Sequence, residues 1–181
     1  MSKPPKHGKE ITLEEIKVLQ MDVLEALDEF CDANNIRYSM ACGTLLGAIR
    51  HKGYIPWDDD IDIYVPREDY KRLMAEFPDR YRDRYKIASL ERDMLWEKPY
   101  AKAYDDRTLL YENSVSKKDI GVNIDIFPID DVPDSDEEWR KYDNERRRQQ
   151  GLFILKTVRL NRNRPFRKNI ILALFHIGTC L

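Results

Sequence analysis

Between Trp57 and Ile63 the chain sets four carboxylates in five positions: Asp58, Asp59, Asp60 and Asp62. Like charges packed this closely are unfavourable unless a cation or open solvent relieves them. A solvated acidic turn is the plain alternative. Against it stands the alternation of Asp60 and Asp62 with Ile61, Ile63 and Val65, which places both acids on one side of a strand whose other side is core. Oxygen ligands of this kind suit a hard divalent ion, magnesium or manganese. A calcium loop beginning at Asp58 fits poorly: Ile63 stands where glycine is needed, Asp69 where a glutamate is needed, and Pro66 lies between.

Gly43 and Thr44 lie one short helix and one loop before this acidic run, and Asp125 stands among apolar residues well after it. Glycine permits close backbone approach, the threonine hydroxyl and neighbouring amides can donate to phosphate oxygens, and the following helix offers its positive end. Divalent ions held by Asp60, Asp62 and Asp125 opposite such a turn would serve phosphoryl chemistry. Arg50 is a candidate for gripping a diphosphate, because a guanidinium binds phosphate through two parallel bonds. Lys102, among alanines on an expected strand, is a second phosphate candidate. His51 is read as a packing or hydrogen-bonding residue of the loop in preference to a proton shuttle, and Trp57 as packing in preference to stacking.

The elements that must carry these residues follow from spacing. Thr12 with Glu15 forms a capping box, and Leu13, Ile16, Leu19, Val23, Leu27 and Phe30 predict an amphipathic helix that ends at Asn34 and Asn35. Residues 36–42 read as a buried strand entering a tight Gly43-Thr44 turn, residues 45–50 as a short helix, and residues 61–65 as the acid-bearing strand that Pro66 ends. A helix over 67–77 follows, then strands over 85–90, 100–104, 108–112 and 122–127. Pro128 and Pro133 mark a loop, and residues 134–138 form the acidic first turn of a last helix.

Length and composition bound the class. The chain has 181 residues, 42% of them hydrophobic and 35% charged, which suits one globular domain with an appended helical segment and excludes disordered and low-complexity classes. Its net charge of −2 conceals two opposed parts. Residues 140–168 hold eleven Lys and Arg against Asp143 and Glu145, a local +9, so residues 1–139 carry −11. Three cysteines without a C-x-x-C pair, and no signal-like stretch at the start, predict a cytoplasmic protein with reduced thiols. The apolar run 170–177 is too short to cross a bilayer. The basic segment is open to two readings: peripheral contact with an anionic membrane at the inner face, or packing on the acidic body. Nucleic acid is not an expected partner. We expect a flexible N-terminus over 1–10, a core over 11–139, and a basic helical segment over 140–181 that is an incomplete C-terminal part.

The stretch GTLLGAIRHKGYIPWDDDIDIYVPREDY, residues 43–70, resembles the signature of the LicD family, phosphocholine transferases with the fukutin proteins as relatives. Ala101-Lys102 with Asp106 and Thr108, and Val122-Asn123-Ile124-Asp125-Ile126-Phe127-Pro128, resemble its later blocks. The resemblance implies an α+β fold of nucleotidyltransferase type, a mixed sheet flanked by helices. It assigns Gly43 and Thr44 to the turn, Asp60 and Asp62 to the metal pair and Asp125 to the third acid. Asp58 belongs to the family block and Asp59 to its variable position. It further implies Mg2+ or Mn2+, a CDP-linked alcohol donor such as CDP-choline, and a hydroxyl acceptor on a cell-surface glycan or its lipid-linked precursor. Nucleotidyl transfer with release of pyrophosphate, or a truncated module that binds nucleotide and metal without catalysis, are the alternatives.

Overall fold

The Thr12 hydroxyl accepts from the Glu15 amide at 3.2 Å and the Glu15 carboxylate accepts from the Thr12 amide at 2.8 Å, so the capping box opens α1, Leu13–Asn34. The helix closes at Asn35, whose left-handed backbone (φ 51°) is one that asparagine tolerates. This computed structural model describes residues 8–93, 96–110 and 120–157. After α1 come β1 (Ser39–Met40), α2 (Cys42–His51), β2 (Asp62–Pro66), α3 (Arg67–Arg80), β3 (Tyr85–Ala88), β4 (Ala101–Asp105), β5 (Asn123–Ile129) and α4 (Asp136–Thr157).

The five strands make one mixed sheet in the order β1-β2-β5-β4-β3. β2 and β5 run parallel at its centre, and the other pairs are antiparallel. The fold is therefore α+β, as expected. Val23, Leu27 and Phe30 of α1 and Tyr70, Leu73, Met74 and Phe77 of α3 are buried against Ile61, Ile63, Val65, Ile124 and Ile126. Each such side chain contributes about 1.5–3 kcal/mol of burial. With one sheet face committed to this core, strand alternation sends Asp62, Tyr64, Asp125 and Phe127 to the other.

Several boundaries differ from the expectations. The first strand shrinks from residues 36–42 to Ser39–Met40, because the chain turns early into α2 at Cys42. Pro128 does not end β5: the strand runs to Ile129, with Pro128 opposite Val65 of β2. Leu110 forms an isolated bridge to Ile120; the rest of the strand expected over 108–112 lies partly outside the described residues.

The chain divides into two compact units, Met1–Asp130 and Asp131–Leu181. The division falls before residue 139, where composition placed it, since the acidic turn and the first arginines share α4. On α4, Arg146 and Arg147 bond Asp143, and Arg148 bonds Glu145, all within the helix. No described helix is long and apolar enough to cross a membrane. The N-terminal seven residues, the run 170–177 and the basic segment beyond 157 lie outside the described residues.

Candidate active site

Asp62 on β2 and Asp125 on β5 are direct partners in the parallel ladder, and Lys102 on β4 is the direct partner of Asp125 in the antiparallel one. Three neighbouring strands thus carry a row of Asp, Asp and Lys. The Lys102 ammonium, only 6% exposed, lies 2.5 Å from the Asp125 carboxylate and donates to Asn123 Oδ1 at 2.7 Å. A buried ammonium needs such pairing. Lys102, expected to meet phosphate, is thus engaged with the third acid.

Asp60 does not share the strand with Asp62: β2 begins at Asp62 and Asp60 belongs to the loop before it. Backbone pairing reaches back to Ile61, whose carbonyl accepts from the Asp125 amide at 2.8 Å, and the loop before it is tied elsewhere. The buried Gln20 of α1 donates to the Asp59 carbonyl at 2.9 Å and to the Asn123 carbonyl at 3.1 Å, and accepts from the Tyr54 hydroxyl at 3.0 Å. In this loop one oxygen from each of Asp58, Asp59 and Asp60 lies within 4.8 Å of the others. Among the described residues no comparably tight group joins Asp60, Asp62 and Asp125. Asp59, assigned to the family's variable position, is exposed and belongs to the loop cluster.

The electrostatics register this crowding. Desolvation, then Asp62 and Asp58, push the Asp60 carboxyl up to about 6. Desolvation and the neighbouring Asp125 also raise Asp62, against a hydrogen bond from Cys42 and the charge of Lys102. Oxygen-only and mutually repelling, these groups have the donor chemistry of a hard divalent cation site.

Gly43 and Thr44 do not form a separate turn; they occupy the first turn of α2. The left-handed residue is Cys42 (φ 45°), a strained backbone for a non-glycine residue. Gly43 lets Asp58 approach: a Cβ there would stand 2.5 Å from an Asp58 carboxylate oxygen, so that side chain would have to shift. Asp58 thus lies over the positive end of α2, where an anion is favoured. The Thr44 hydroxyl oxygen accepts from the Asp62 amide at 2.8 Å, which fixes the start of β2 against α2. Arg50 sits exposed in the last turn of α2 and, among the described residues, makes no ion pair with the acids. Trp57 is 80% exposed, so it does not pack in the core; its ring meets His51 edge-on at 6.4 Å.

A cavity of about 350 Å³ adjoins the loop, lined by Met21, Leu24, Met40 and Tyr54 as well as by Asp58 and Asp60. Gln20 escaped the sequence reading, and Asn123 entered it only within a quoted block with no role of its own, both being polar residues in segments read for their apolar pattern. The one available signal was that Gln20 falls next to the buried stripe of α1.

Comparison with known proteins now has a geometry to rest on. The chain is 37% identical over 127 residues to the lipopolysaccharide cholinephosphotransferase LicD of Haemophilus influenzae, covering 69% of this chain and 47% of that one. It is 38% identical over 73 residues to an uncharacterised protein, RT0683, of Rickettsia typhi, covering 38% and 24%. The chain therefore spans about half the length of the first relative and less of the second. A solved complex of the type VI effector Tas1 with its immunity protein aligns at 13% identity, over 93% of this chain and 92% of that one, with a TM-score of 0.34, too low to bear an argument. The family described as LicD/FKTN/FKRP, nucleotidyltransferase domain, matches residues 35–167, and the chain belongs to that family.

Proposed function

We propose that this chain carries the catalytic core of a divalent-metal-dependent phosphotransferase. It would move a phospho-alcohol group, phosphocholine first among candidates, from a CDP-linked donor to a hydroxyl of a cell-surface glycan or its lipid-linked precursor. The observation that carries this reading is the lateral pairing of Asp62 with Asp125, fed by a loop that brings Asp58 and Asp60 beside it. The activity named for the Haemophilus influenzae relative supports the choice of transferred group. Location in the cytoplasm, where CDP-alcohols are made, belongs to the same proposal, as does contact with an anionic membrane surface.

Asp60 and Asp62, with Asp125 beside them, would hold the cation. Its chemistry is to neutralise the donor diphosphate and polarise the attacked phosphorus. The chain's own residues do the rest. The first turn of α2, shaped by Gly43 and braced by Thr44, presents backbone amides to phosphate oxygens. Asp125, the ladder partner of Asp62, is the group that would receive the acceptor proton. A bond forms between the acceptor oxygen and the phosphorus bearing the alcohol, the bond from that phosphorus to the bridging oxygen breaks, and CMP leaves with the electron pair.

The family's nucleotidyltransferase description favours a second reading, attack on the nucleotide phosphorus with release of pyrophosphate. Incubating the full chain with Mg2+, a glycan acceptor and either a panel of CDP-alcohols or cytidine triphosphate separates the two. CMP release that disappears with EDTA and with Asp62→Asn is expected. Pyrophosphate from a cytidine triphosphate would move the assignment to nucleotidyl transfer, and metal and nucleotide binding without turnover would leave a binding module.

A further inference from the structure

Beside the charged row lies a second row, of rings. Tyr64 follows Asp62 by two residues on β2, Phe127 follows Asp125 by two on β5, and Tyr100 precedes Lys102 by two, in the residue just before β4 begins. Tyr64 and Phe127 therefore stand one strand repeat, about 6.6 Å, along the sheet from the acids and on the same face, and Tyr100 joins them through its ring contact with Phe127. Tyr64 and Phe127 are ladder partners with ring centroids 6.1 Å apart, and Tyr100 and Phe127 lie 4.5 Å apart. Core packing does not require them, since Ile63, Val65 and Ile126 supply the buried face; Tyr64 is 38% exposed. The row already draws a cation: the Lys98 ammonium rests 5.8 Å from the Tyr100 centroid.

Resting on the phosphotransferase reading, we propose that Tyr64, Phe127 and Tyr100 form the subsite for the alcohol head group, and that they select a quaternary ammonium. A fully methylated ammonium has no N–H to give to a carboxylate, so hydrogen bonding cannot select it; the negative faces of aromatic rings can, while also covering its methyl groups. The two-carbon link between phosphate oxygen and ammonium suits the step between rows: with the phosphorus over Asp62 and Asp125, the head group lies over the rings. Primary ammonium groups remain better solvated by water, and a neutral head group of the same shape lacks the electrostatic attraction.

The test compares CDP-choline, CDP-ethanolamine and the uncharged isostere CDP-3,3-dimethylbutanol as donors, reading kcat/KM from CMP release and affinity from titration calorimetry. The wild-type chain is expected to prefer choline about tenfold over both, the size of a partly desolvated cation–π contact. Tyr64→Leu and Tyr100→Leu keep apolar bulk and remove the π face, and should reduce the preference to within about threefold. A ratio of donors is insensitive to the fraction of chain folded, so loss of stability does not mask the result. Persistence of the preference in both variants, or its absence in the wild type while CMP is still released, overturns this subsite and leaves the transferase standing. Failure to bind or turn over any of the three donors removes both.

Discussion

Asp105 on β4 and Asp62 on β2 bear the same carboxylate on either side of β5, and the fold treats them in opposite ways. Asp105 is fully buried and surrounded by donors. Arg107 reaches it through its amide at 3.0 Å and its guanidinium at 3.0 and 2.7 Å, and Arg84 reaches it at 3.1 Å while also holding Asp22 of α1. Burial pushes the Asp105 carboxyl up, but these hydrogen bonds more than offset it, and it stays below the ordinary range. Asp60 and Asp62 have carboxylates for neighbours and are raised. An acid that serves stability comes with its cations supplied by the chain; acids left to repel one another mark a place where the counter-charge arrives from outside.

That contrast can be broken at either end. The largest effect expected is on catalysis: Asp62→Asn should lower CMP release at least about a thousandfold, the scale on which removal of a key charge-stabilising group acts, while urea denaturation finds stability unchanged or slightly raised. An active Asp62→Asn enzyme would falsify the assignment of the site. Next comes Asp105→Asn, which removes the ion-pair partner of Arg107 and one of the two partners of Arg84. A loss of about 3 kcal/mol by urea denaturation is expected, and a neutral outcome would mean that Asp105 and the site acids are not different in kind.

Acidity gives a third, smaller test. The folded chain holds a proton on Asp60 more tightly than the unfolded chain does, because its carboxyl stands at about 6. Without divalent ions, this group therefore adds stability below pH 6 that fades as the pH rises through 6. The proton competes with metal, so Mn2+ should bind about tenfold more weakly at pH 5 than at pH 7.5, and Asp60→Asn should flatten both trends. Calorimetric titration at the two pH values checks this. The smallest effect belongs to Thr44→Val, which removes the acceptor of the Asp62 amide. A loss of about 1 kcal/mol is expected, restored by Thr44→Ser.

The acids themselves were legible because clustered like charge next to a core strand is unusual whatever its fold. α1 and α3 were legible because helical periodicity and the Thr12 capping box are local. Partnership across strands was not. The pairing of Lys102 with Asp125 depends on β4 and β5 lying in one register, and nothing within either segment specifies it. Likewise Asp60 looked strand-bound by alternation alone, whereas β2 begins at Asp62 and the loop before it is held by a hydrogen bond from a helix some forty positions away. Gly43 was read as permitting close backbone approach, and what a Cβ there would meet is the carboxylate end of Asp58, a contact made only after the intervening loop folds back.

The position of Gln20 carries one more consequence. A neutral amide, it gives its two donor hydrogens to the loop at Asp59 and the strand at Asn123, and so bridges the two pieces of chain that bring acids to the site. Because an amide neither ionises nor is screened by salt, the spacing between those pieces is kept by a brace indifferent to acidity and ionic strength. The charges at this centre can be gained, lost or neutralised while the frame that spaces them keeps its dimensions.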